Sequence, residues 1–291
     1  MDALGQPASG GPLVGDRSAP FHLIAHRGGA GHAPENTLAA FAWAVEHGFR
    51  EVELDVRLSR DGELVLFHDE RLDGKTTLSG PVADHAASDL LATDIGRWFD
   101  AEHPQGPQHF VGTCLTSLPR VLETFGESLD YHVELKGGEA ELPERVVAEL
   151  RARAPECTRV ISAFSFDDLV RTRECDPAAR VCWLLRDAPG WLCALPAARR
   201  DEQVESQCQR IDRAAEAGFA MIGVRAAALC HEGVEHARRR QLELRAWGVG
   251  SDAEFEHVLA VGAAGATLDW PLAARARLRA HGIEIAAGVL T

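Results

Sequence analysis

The sequence predicts an α/β fold: a (β/α)8 TIM barrel with an irregular early hairpin and a small insertion on the catalytic side. Short apolar runs alternate with helix-patterned stretches along most of the 291 residues. Nine such runs can be counted, one more than the barrel holds, and one connection is too short for a helical crossover. Eight parallel strands plus one irregularity account for the count, and a doubly wound sheet ranks second.

Residues 1–19 are rich in Gly, Pro, Ala and Ser and lack a basic segment leading into an apolar one, so they read as a loose tail rather than a signal peptide. The barrel is expected over 20–291. Candidate strands lie at 21–26, 52–57, 63–68, 131–135, 159–162, 180–184, 220–224, 242–247 and 266–269. Helical patterns cover 37–47, 119–126, 143–153, 167–174, 205–217, 234–240 and 254–261. Between the second and third strands, 58–62 carries Asp61-Gly62, a tight-turn signal; these strands form a hairpin or meet through a helix-free link. The stretch 70–114 has little periodicity and many Gly, Pro, Asp and His residues. It reads as an insertion between two barrel units, on the loop side where function concentrates.

Composition narrows the partners. The formal net charge of −14 disfavours nucleic acid or an anionic membrane surface, so an anionic substrate would need a local cation. Seven cysteines, an odd number with no CxxC pair, read as reduced thiols in a cytoplasmic protein. No run approaches 18 apolar residues, so no membrane span is expected. A chain this long buries roughly 73% of its unfolded surface and needs no covalent staples.

The chemistry begins in Glu51-Val52-Glu53-Leu54-Asp55-Val56-Arg57-Leu58. Alternate strand residues share a face, which groups Glu53 with Asp55 and opposes them to Val52, Leu54, Val56 and Leu58. In Tyr131-His132-Val133-Glu134-Leu135-Lys136 the same alternation groups His132, Glu134 and Lys136. Parallel sheets are covered on both faces, so carboxylates aimed inward from two strands demand positive charge between them. A divalent cation held by Glu53, Asp55 and Glu134 is one answer, and an all-oxygen donor set suits Mg²⁺ or Ca²⁺. A structural ion-pair network among Glu53, Asp55, Arg57 and Lys136 is the other. His26 and His68 each close an apolar run, where a pair could divide general-acid and general-base labour. Arg27, followed by Gly28-Gly29, offers the local cation for a phosphate.

Two phosphate-loop look-alikes are weaker. Gly74-Lys75-Thr76 lacks the upstream glycine of a Walker loop, where Asp69 stands instead. Gly248-Val249-Gly250-Ser251-Asp252-Ala253 outlines a dinucleotide fingerprint with Asp269 downstream, but Asp252 would set an anion where the pyrophosphate belongs.

Together, His26-Arg27-Gly28, Pro34-Glu35-Asn36-Thr37, Glu53-Leu54-Asp55-Val56, Asp61-Gly62, His68-Asp69, Glu134-Leu135-Lys136, Trp247 and Thr267-Leu268-Asp269-Trp270-Pro271 resemble, in order, the signature of the glycerophosphodiester phosphodiesterases. The resemblance spans about 21–280. It implies a (β/α)8 barrel that hydrolyses a small-molecule glycerophosphodiester to sn-glycerol 3-phosphate and an alcohol with one divalent cation. Carried over by motif, Glu53, Asp55 and Glu134 become metal ligands and His26 and His68 the acid/base pair. Arg27 and Lys136 hold phosphate, Trp247 is either a wall for the glycerol or a core residue, with the wall preferred, and the segment after His68-Asp69 corresponds to the family's insertion. The chain departs from the family at Trp247-Gly248-Val249-Gly250, where Trp-Thr-Val-Asn is common, and at Asp73-Gly74-Lys75-Thr76-Thr77, where Lys75 replaces an arginine. Two readings stand beside hydrolysis of small diesters. One is a lysophospholipase D-like activity, favoured by apolar surface near Trp98, Phe99 and Trp247. The other is a non-catalytic metal-binding barrel.

Overall fold

The computed structural model describes residues 19–106, 109–186 and 192–286. The chain divides into two compact units, one of Ile24–Ala179 with Asp269–Pro271, the other of Arg180–Leu268 with Leu272–Ala287 and the residues up to Leu23. Of the expected tail, only Ala19 lies within the described residues.

The first unit is entered through β1 (His22–Ala25) and continues with α1 (Leu38–Glu46), β2 (Glu51–Leu58) and β3 (Leu64–Leu66). Thr37 starts α1 by accepting from the Ala40 amide through its hydroxyl. The connection at 58–62 resolves as a hairpin: β3 runs antiparallel to β2, with Val56 opposite Leu66 and Leu58 opposite Leu64. Beyond it come α2 (Ala87–Leu91), α3 (Gly96–Glu102) and α4 (Leu118–Phe125), then β4 (Asp130–Leu135), α5 (Leu142–Arg153), β5 (Arg159–Ala163) and α6 (Phe166–Cys175). β2 pairs in parallel with β4, and β4 with β5. All six β4 residues are buried, as expected of a strand covered on both faces.

The stretch 70–114 has a small core of its own. Leu72, Val82, Leu90, Ile95 and Leu115 pack with Val65 and Phe67 of the hairpin strand and its exit. Gly96 is obligatory, because a Cβ there would overlap the Phe110 carbonyl. The two short helices carry too few residues to show an apolar rhythm, which is why the sequence pattern missed them.

In the second unit β6 (Arg180–Leu184), α7 (Ala197–Glu216), β7 (Met221–Arg225), α8 (His231–Arg239), β8 (Glu243–Trp247), α9 (Asp252–Val261), β9 (Gly265–Leu268) and α10 (Pro271–Ala280) alternate, and β6 to β9 pair in parallel. α7 begins eight residues before the expected 205, because its first turns are solvent-facing Ala, Arg and Glu that favour helix without marking an apolar stripe. Among the described residues no helix is long and apolar enough to cross a membrane.

Leu90→Ala removes a fully buried side chain from the 70–114 core. The expected cost is about 2–5 kcal/mol in urea denaturation; a change within error would mean that this core closes around the gap.

Candidate functional site

Glu53 and Asp55 alternate along β2, and the parallel register places His132 and Glu134 of β4 directly beside them. One carboxylate oxygen from each of Glu53, Asp55 and Glu134 lies within 4.8 Å of the others, and all three residues are buried. Asp55, fully buried, is the centre. Its Oδ2 accepts from Asn36 Nδ2 at 2.8 Å and lies 3.3 Å from Arg27 Nε. Its amide donates to Asn36 Oδ1 at 3.1 Å. Lys136 Nζ stands 3.3 Å from Asp55 Oδ1 and 2.5 Å from Glu134 Oε1. Glu53 Oε2 accepts the Arg27 amide at 3.0 Å, whereas Glu53 Oε1 is buried with no hydrogen-bond partner among the described residues.

Burial pushes all three carboxyls up, and their neighbours decide the outcome. Glu53 rises to about 8, chiefly through burial and then through Asp55. Glu134 is raised for the same reasons. At Asp55, Lys136 and Arg27 overcome burial and hold the group at about 2. Three convergent carboxylates, each with one buried oxygen that has no hydrogen-bond partner among the described residues, fit a hard divalent cation, and the donor set contains no nitrogen or sulfur.

Each histidine is held by an aspartate on Nδ1. His26 Nδ1 lies 2.6 Å from Asp269 Oδ1, and its Nε2 lies 3.7 Å from Glu53 Oε2. Burial disfavours the imidazolium, but the Asp269 hydrogen bond and the Glu53 charge outweigh it and raise the His26 pKa. His68 Nδ1 lies 2.7 Å from Asp69 Oδ1. That bond, working against burial and alongside Lys75, holds Asp69 well below the usual carboxylate range. His26 follows a parallel strand as expected. His68 differs: it follows β3, which is antiparallel, so it reaches the cluster by coming back along β2, with the Phe67 amide bonded to the Asp55 carbonyl at 3.1 Å.

The loop after β1 is built to aim Arg27. Arg27, Gly28 and Gly29 take φ of 50°, 83° and 119°, and a Cβ at Gly29 would strike the Trp43 ring. Glu35 accepts from Arg27 Nη1 at 2.6 Å and from Lys75 Nζ at 2.8 Å. Arg57 joins the histidine to the lysine through the main chain: Nη2 donates to the His68 carbonyl at 2.7 Å and Nη1 to that of Lys136 at 3.3 Å. Asp269, Asp69, Glu35 and Asn36 were not singled out as site residues from spacing. Each contacts a chosen residue, and the available signal was their place inside the quoted motifs.

Trp247 belongs to the other unit, where its indole N–H donates to the Gly223 carbonyl. The fingerprint at 248–253 is a helix cap: Ser251 caps α9, and Glu254 Oε2 accepts the Gly250 amide at 2.7 Å. A carboxylate thus takes a donor that a pyrophosphate would need.

Carboxylates suited to a divalent cation, two aspartate-held histidines and adjacent arginine and lysine define a hydrolase acting on a phosphate ester. The model of the Glycerophosphoryl diester phosphodiesterase family matches residues 26–273, and the chain belongs to that family. It is 27% identical to a glycerophosphodiester phosphodiesterase of Bacillus subtilis over 85% of this chain and 83% of the other. A crystal structure from Silicibacter pomeroyi superposes with a TM-score of 0.79 at 24% identity, covering 92% of this chain and 96% of that one. An Oleispira antarctica phosphodiesterase solved with its product sn-glycerol 3-phosphate gives 0.74 at 22% identity, covering 89% and 97%. The fold is the (β/α)8 barrel expected from the sequence.

Asn36→Ala removes two hydrogen bonds from buried Asp55 and puts alanine at a φ of 58°. The expected loss is about 2–4 kcal/mol by urea denaturation; an unchanged midpoint would show that Asp55 is held without it.

Proposed function

We propose that the chain hydrolyses glycerophosphodiesters to sn-glycerol 3-phosphate and an alcohol, with one Mg²⁺ or Ca²⁺ at Glu53, Asp55 and Glu134. The observation that carries this reading is the convergence of three buried carboxylates, each with one oxygen that has no hydrogen-bond partner among the described residues, beside two histidines each held by an aspartate. When bound, the cation supplies charge neutralisation for the phosphodiester and its transition state. Arg27 and Lys136, each with only 13% of its side chain exposed, add fixed positive charge to hold the phosphate. Asp269 and Asp69 occupy the Nδ1 side of the two imidazoles, which leaves Nε2 for proton transfer. One histidine takes the proton of the attacking hydroxyl, from water or the glycerol 2-OH, and the other protonates the leaving alkoxide; attack by the 2-OH gives a cyclic glycerol phosphate, whose O2–P bond water then breaks to give glycerol 3-phosphate. Trp247 enters as a wall for the glycerol on the family resemblance.

The 70–114 stretch favours small diesters over lysophospholipids. Phe99 is buried against Phe110 and His103, and the Trp98 ring lies under Lys75 Nζ at 5.0 Å. The buried Phe99 ring offers no surface to an acyl chain, and the partly buried Trp98 ring carries a cation on one face. Seven cysteines with no CxxC pair accord with a cytoplasmic setting.

The direct test is release of glycerol 3-phosphate from glycerophosphocholine and glycerophosphoethanolamine with Mg²⁺ or Ca²⁺, and its loss with EDTA. His26→Ala and His68→Ala should each lower kcat by about 10²–10⁴-fold while the melting temperature holds. Full turnover in either variant would remove that histidine from the mechanism.

Cation affinity should depend on pH with a definite sign. Glu53, raised to about 8, is protonated below that pH in the cation-free protein, and ligation requires the carboxylate. Affinity by calorimetric titration should therefore climb about tenfold per pH unit from 6 towards 8 and then flatten. A flat profile across that range would place the cation elsewhere.

A further inference from the structure

We infer that Lys75 is a positioning residue whose single ammonium couples the arm holding Arg27 to the arm holding His68. This deepens the proposed hydrolysis and rests on it. Lys75 Nζ lies 2.8 Å from Glu35 Oε1 and 2.9 Å from Asp69 Oδ2. The second oxygen of each carboxylate is committed to a residue of the site: Glu35 Oε2 accepts Arg27 Nη1 at 2.6 Å, and Asp69 Oδ1 faces His68 Nδ1 at 2.7 Å. The chain of contacts is therefore Arg27, Glu35, Lys75, Asp69, His68, with the ammonium in the middle.

The alternative role for Lys75, a direct phosphate contact, conflicts with its surroundings. An ammonium has three donors. Two are spent on carboxylates, and the group sits 5.0 Å from the centroid of the Trp98 ring and 6.0 Å from that of Phe67. Only 18% of the side chain is exposed. A substrate phosphate would have to break one of these ion pairs to reach it. The energetic role is also specific. Glu35 and Asp69 are two anions drawn to one point, and without Lys75 they would repel each other and release the groups they orient.

The seat of Lys75 matters as well. It lies on the 70–114 stretch, and Trp98, over which it rests, packs against the core of that stretch. Glu35 lies in the loop after β1 and Asp69 just beyond the hairpin. One side chain therefore ties three separate loops, and the inserted stretch takes part in the reaction without touching substrate.

The test is a set of kinetic cycles on the whole protein. Lys75→Met keeps the aliphatic stem over Trp98 and deletes the charge. It should lower kcat about 10²-fold, the order expected when a catalytic group is displaced by about 1 Å, and raise KM. Lys75→Arg, which can still bridge both carboxylates, should recover most of the loss. In an Asp69→Asn background the kcat penalty of Lys75→Met should shrink to within about twofold, and in Glu35→Gln the KM penalty should do the same. Trp98→Leu, which keeps the charge and removes the seat, should give a milder loss of the same kind. Wild-type kinetics in a folded Lys75→Met protein would overturn the proposal, and so would penalties that persist undiminished in both backgrounds. If the wild type cleaves no phosphodiester, the functional reading falls by itself. The positioning claim is then decided by the imidazole ¹⁵N spectrum of His68, which must change in Lys75→Met and not in a Lys75→Arg control.

Discussion

Three carboxylates share a space from which water is largely excluded, and everything around them answers that cost. Unpaired, they would be raised towards neutrality by burial and by one another, as Glu53 and Glu134 are. Asp55 escapes because the Lys136 ammonium and the Arg27 guanidinium stand beside it, while the Asn36 amide satisfies Oδ2. Each of those groups is fixed by its own backbone. Asn36 and Arg27 sit at positive φ in the loop after β1, and Lys136 follows directly on β4, its amide bonded to the Val56 carbonyl. The electrostatic problem on one strand thus dictates the shape of the loop beside it.

A second layer serves the same end through the main chain. Arg57, next but one along β2 from Asp55, takes the carbonyls of His68 and Lys136. It fixes where two strand exits lie relative to each other without approaching the carboxylates in a hydrogen bond of its own. The result is a site whose charged groups are mostly paired before any ligand arrives, a preorganised arrangement that costs little reorganisation during reaction.

What could be read from the sequence follows the range over which the physics acts. The period of two along a strand is local, so Glu53 with Asp55 and Glu134 with Lys136 were legible, and the parallel register then brought the two sets together. The hairpin was legible only as an alternative, because Asp61-Gly62 marks a turn without giving the direction of the strand that follows. His68 was chosen for an incomplete reason: a strand end points to the working face only if the strand is parallel, and β3 is not. Glu35 and Asn36 read as a loop leading into α1, which they are, but their hydrogen bonds to Arg27 and Asp55 depend on tertiary folding. The early turns of α7 escaped because a helix that buries little there leaves no apolar rhythm.

The two histidines also differ in how far their partners stand along the chain. His68 finds its aspartate at the next residue, whereas His26 and Asp269 are separated by 243 positions. During synthesis from the N-terminus, the carboxylates, Arg27 and His68 all emerge well before the aspartate that orients His26. The contact between His26 and Asp269 is therefore among the last of this cluster that a nascent chain can form. A polypeptide stalled short of residue 269 has Glu53, Asp55 and Glu134 in its sequence and still lacks the carboxylate that faces His26 Nδ1.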